Sequence, residues 1–60
     1  METIAEILIR RDGLSREEAN SLVENAREEL YDRIENSENA YDICKEFFGL
    51  EPDYLDELIG

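Results

Sequence analysis

From Ser15 to Glu35 the apolar residues fall at Ala19, Leu22, Val23, Ala26, Leu30 and Ile34, in offsets of three and four with a single step of one. That spacing lays one apolar stripe along about five helical turns. A half-buried strand would need alternation with a period of two, and almost no segment of the chain has it. The expected fold class is therefore all-α: three to four helices around one long central helix, as a single domain over residues 1–60.

The flanking segments follow the same period. About Glu2 to Arg11, Ile4, Ile7 and Leu8 share a side, and Asp12-Gly13 supplies a glycine able to close the helix in the left-handed conformation. Ser15-Arg16-Glu17-Glu18 matches a capping box, in which the serine hydroxyl and the glutamate carboxylate each satisfy the other's free amide. Asn36-Ser37-Glu38-Asn39 interrupts the apolar pattern with residues that favour turns. A third helix carries Ala40, Ile43, Cys44 and Phe47 on one face with Tyr41 and Phe48 beside them, and Gly49 ends it. Leu50 stands where a Schellman turn returns a hydrophobic contact. Pro52 suits the first turn of a short last helix bearing Tyr54, Leu55, Leu58 and Ile59.

Sixty residues can only partly enclose that much apolar surface, and burial at this size roughly balances conformational entropy. Helices of about ten residues are marginal on their own. A homodimeric helical bundle is the favoured expectation, since a twofold pair is the commonest oligomer symmetry; a small monomeric bundle is the alternative.

Charge narrows the function. Seventeen carboxylates face six basic residues and no histidine, a formal net charge of −11. Such a surface repels nucleic acid and anionic membranes and is drawn to basic protein patches. Direct nucleic-acid binding is not expected, because Arg10, Arg11 and Arg16 are offset by Asp12, Glu17 and Glu18. No apolar run reaches the length of a membrane span, and the opening Met1-Glu2-Thr3 lacks a basic leader segment. One cysteine excludes an internal disulfide, and a cytoplasmic setting is expected.

Catalysis finds few parts. Cys44 has no histidine partner and lies on the core side of its helix, where thiols are small inert hydrophobes. Glu17-Glu18 and Glu28-Glu29 sit on an open helix with no pocket to shift them. Aligning Gly13 with the sixth position of a calcium loop puts Ala19 where the bidentate glutamate belongs. No phosphate-binding loop is present, and no enzyme activity, cofactor or metal is expected.

Glu17, Glu24, Glu28 and Glu35 step by seven, four and seven, within about 20° of one line and opposite the apolar stripe. The row is about 27 Å long. It is either a solubilising face, a mimic of DNA phosphates that occupies a basic groove, or a docking edge for another basic protein patch.

Two blocks, Ile9-Arg10-Arg11-Asp12-Gly13-Leu14-Ser15-Arg16-Glu17-Glu18-Ala19 and Gly49-Leu50-Glu51-Pro52-Asp53-Tyr54-Leu55-Asp56-Glu57-Leu58-Ile59, resemble segments of short acidic proteins encoded by phages and prophages of Gram-positive bacteria. The resemblance implies an accessory protein made in the host cell cytoplasm. Small acidic proteins of that kind include anti-CRISPR proteins, DNA-mimicking restriction inhibitors and an inhibitor of the Hachiman defence system. The expected function is thus a non-catalytic inhibitor of a host defence protein with a basic patch, acting through the acidic face of Glu17, Glu24, Glu28 and Glu35 or through the aromatic C-terminal helices. The alternative is a regulatory or assembly adaptor. Leu30, Ile34, Phe47, Phe48, Tyr54 and Leu58 are the candidates for an apolar dimer or partner surface.

Overall fold

Thr3 and Glu6 close the first capping box: the Thr3 Oγ1 accepts the Glu6 amide at 3.1 Å, and the Glu6 carboxylate accepts the Thr3 amide at 2.9 Å. Helix α1 follows over Ile4–Asp12 and ends at Gly13, whose φ of 70° lets its amide donate to the Ile9 carbonyl. The computed structural model describes residues 2–59. Helix α2, Arg16–Glu35, opens on the Ser15/Glu18 capping box read from sequence, with bonds of 3.1 and 3.0 Å. Four orphan amides at these two helix starts thereby gain partners without any tertiary contact.

Helix α2 ends in a Schellman turn. The Glu38 amide donates to the Arg33 carbonyl at 2.7 Å and the Ser37 amide to the Ile34 carbonyl at 3.1 Å. Ser37 takes the left-handed position at φ 60°, where glycine is the usual occupant. Helix α3 spans Ile43–Phe48, shorter than the spacing predicts. The Asn39 side chain accepts the Tyr41 amide at 2.9 Å, an Asx turn that spends residues 40–42 on the connection and delays the helix to Ile43. Gly49, at φ 68°, closes α3 as expected. Pro52 then starts a 3-10 turn, Pro52–Tyr54, that runs into α4, Leu55–Ile59.

The protein is all-α, and α1, α3 and α4 each pack on α2, the longest helix. Ala19, Val23, Ala26 and Leu30 are buried and lie within about 60° of one another around α2. Ile4 and Leu8 from α1, Ile43, Cys44 and Phe48 from α3 and Leu58 from α4 complete the cluster. No polar or charged residue is buried among the described residues. One chain thus encloses the middle of the stripe, while Leu22 and Ile34, on its two margins, stay exposed at 40% and 54%. The stripe is wider than the face its neighbours cover.

The first and last helices meet. Both carboxylate oxygens of Glu57 accept the Ile4 amide, at 3.1 and 3.0 Å, so α4 caps the first turn of α1 across 53 residues. Negative charge there also suits the positive end of the α1 dipole. Arg27 donates to the Leu58 carbonyl at 3.0 Å and Tyr31 to the Ile59 carbonyl at 3.2 Å. A five-residue helix, far too short to persist alone, is therefore held through its last three residues by side chains of α2 and by the first turn of α1.

Candidate functional site: the acidic face of helix α2

The outer face of α2 is the surface opposite Ala19, Val23, Ala26 and Leu30, so the same periodicity that builds the core positions the acidic row. Glu17, Glu24, Glu28 and Glu35 are all exposed. Glu24 pairs with Arg27, whose guanidinium also holds the Leu58 carbonyl. Among the described residues the other three have no ion-pair partner. Glu24 and Glu28 stand four apart on one face, a like-charge arrangement that costs a helix about 0.2–0.5 kcal/mol.

The basic residues are mostly engaged elsewhere. Arg10 pairs with Glu2 at 2.8 Å and Arg11 with Asp12 at 2.9 Å, each pair lowering the carboxyl and raising the guanidinium. Arg33 binds Glu46 at 2.7 Å and Glu29 at 2.9 Å, bridging α2 and α3. That bridge pulls the Glu46 carboxyl below its ordinary value and raises Arg33. Five of the seventeen carboxylates are ion-paired in this way, and the capping roles of Glu6, Glu18 and Glu57 leave their charges in place.

Charge density distinguishes the row from the whole body. Four carboxylates over 27 Å are spaced about 9 Å apart, far sparser than duplex DNA at one charge per about 3.4 Å of each strand. The net charge of −11 along a molecule 34 Å long amounts to one charge per about 3 Å, comparable with a single strand. The acidic body supplies the field, and the row on α2 gives it a straight edge.

No family model, curated protein or solved structure matches the chain. Its site is accordingly defined by its own geometry.

The expected apolar surface changes most. Leu30, Phe48 and Leu58 are 1%, 3% and 0% exposed, so they are interior and present nothing to a partner. Phe47, expected on the core face of α3, is exposed, whereas Phe48 turns inward beside the Gly49 reversal. The two rings still meet edge to face at 6.2 Å. Tyr54 is half-buried against the core. Ile34 remains a surface residue, and Tyr31 and Ile59, the latter expected on the apolar face of the last helix, are exposed as well. Tyr41, expected beside the core face, is exposed in the connecting turn. Cys44 is fully buried; desolvation first, and the negative charge of Glu57 second, push its thiol up, away from the reactive thiolate. No helix among the described residues is long and apolar enough to cross a membrane.

Proposed function

We propose that this chain is a non-catalytic acidic protein that binds and inhibits a host protein through a basic, nucleic-acid-handling groove, with the outer face of α2 as the contacting edge. The observation that carries the proposal is the exposed row Glu17, Glu24, Glu28 and Glu35, three of them without an ion-pair partner among the described residues, on the longest helix of the molecule. The resemblance of the blocks at 9–19 and 49–59 to acidic phage proteins supports a defence enzyme, a nuclease or helicase, as the target. Attraction of this kind is strong at low ionic strength and falls steeply with salt.

The test compares the protein with a variant carrying glutamine at all four positions of the row, as baits in host lysate. A nuclease or helicase held by the wild type, released by salt or by added duplex DNA, and missed by the glutamine variant would support the proposal. Equal capture by both baits would refute it.

A second reading, an adaptor or a homodimer joined through apolar contacts, is favoured by the side chains left uncovered. Tyr31, Ile34, Phe47 and Ile59 are each more than 40% exposed. A twofold seam built from them would double the molar mass in light scattering and would be lost in Ile34→Ala.

A further inference from the structure

The acidic row is bordered by an apolar strip. At 100° per residue, Tyr31 lies about 40° from the centre of the row and Ile34 about 100° from it, both on the side where α4 docks. The hydrogen bond from Tyr31 to the Ile59 carbonyl fixes the end of α4 against that flank. Tyr31, Ile34 and Ile59 are 47%, 54% and 50% exposed, so a tyrosine and two isoleucines stand in solvent alongside Glu28 and Glu35. On the opposite margin of α2, Leu22 is exposed beside Leu14 of the α1–α2 turn, away from α4.

We infer that this edge, the Tyr31/Ile34/Ile59 strip with the glutamate row beside it, docks a cationic amphipathic helix of the partner. This rests on the acidic-face function proposed above and specifies what part of the partner it engages. Charge complementarity selects the occupant. A second copy would bring another body of net charge −11 against the same edge, which is repulsive. A purely polar basic loop would leave the strip in water. A helix with apolar anchors at i, i+3 or i+4 and lysine or arginine on its flank covers the isoleucines and meets the carboxylates at once. The apolar anchors would set the residence time and the charges the encounter rate.

The experiment uses the whole protein and two labelled probes of identical composition, an 18-residue Leu/Lys peptide patterned as an amphipathic helix and its scrambled sequence, titrated by fluorescence anisotropy. The patterned probe should bind at least about tenfold more tightly than the scramble. Ile34→Ala should weaken the patterned probe about fivefold or more and leave the scramble unaffected, whereas Leu22→Ala should change neither. Circular dichroism confirms that both variants, altered at exposed positions, stay folded. Equal affinity for the two probes, with loss in the glutamine-row variant, would overturn the strip and leave the acidic-face function standing. Failure of both probes to bind at low salt would overturn both. Patterned binding that ignores salt and the glutamine row would remove the acidic face and retain only an apolar groove, contrary to the inference. A doubled molar mass abolished by Ile34→Ala would assign the strip to a second copy and overturn it as well.

Discussion

Replacing Glu57 tests the clasp that joins α4 to the first turn of α1. The Ile4 amide belongs to the first turn of α1, has no intrahelical acceptor, and sits beside a side chain with no exposure. Both Glu57 oxygens fill that need. A hydrogen bond to a charged group contributes about 1.5–3 kcal/mol and a helix-terminal charge a further 0.3–1 kcal/mol. Glu57 is only half-buried, so water recovers part of the loss, and Glu57→Ala should cost about 1.5–2 kcal/mol. For a domain of this size that corresponds to a fall in Tm of about 6–16 °C. Glu57→Gln keeps an acceptor oxygen and loses the charge, and should fall by about 2–8 °C. Thermal melts followed by circular dichroism measure both. Cys44 provides a second readout, because its thiol is fully buried, feels the charge of Glu57 and reacts only when the packing around it opens. Its labelling rate should rise in Glu57→Ala. A Tm within about 1 °C of wild type with unchanged labelling would show that the clasp contributes nothing.

Ser37→Gly should raise stability by about 0.5–1 kcal/mol, because a left-handed backbone favours glycine; an unchanged or lower Tm would refute it. Leu30→Ala and Leu58→Ala should each cost about 2–4 kcal/mol, whereas Ile34→Ala should stay within about 0.5 kcal/mol; denaturant titration that reversed this order would contradict the assignment of core and surface. Acid should also act through the caps. Glu6 and Glu18 are held below 4.5 by bonds to the backbone and hydroxyls of Thr3 and Ser15, and Glu46 by Arg33. The unfolded chain therefore takes up protons first as pH falls, so their stabilisation is complete above about 4.5 and is lost through the lower folded-state values. Tm should drop below that pH, less so in a Thr3→Ala/Ser15→Ala double variant, and a Tm that kept rising would refute this.

Local rules made much of the fold legible. Ser15 and Glu18, Gly13, Gly49 and Pro52 behave as their chemistry dictates, because caps and turns depend on a few adjacent residues. Thr3 and Glu6 obey the same pattern as Ser15 and Glu18, and that signal was present in the sequence. The exchange of Phe47 and Phe48 was not legible: α3 has only six residues, and which ring turns inward depends on the Gly49 reversal. Periodicity identified the apolar stripe of α2 but not how wide a face its neighbours cover, which leaves Leu22 and Ile34 outside. Long-range polar links such as Glu57 to Ile4 and Arg27 to Leu58 have no sequence signature, since 53 and 31 residues separate the partners. The acidic row was legible because it is the complement of the core face; Tyr31 and Ile59 were legible as apolar side chains, but their exposure side by side was not, because it follows from how α4 docks.

The most direct test of the acidic-face function is the affinity of the captured host protein for the wild type and for the four-glutamine variant of Glu17, Glu24, Glu28 and Glu35, measured across a salt series with duplex DNA as competitor. The proposal predicts wild-type affinity that falls steeply with salt, displacement by DNA, and a variant that stays folded but binds at least about tenfold more weakly with a shallower salt slope. Equal affinities with the same salt slope, or a complex indifferent to DNA, would contradict it.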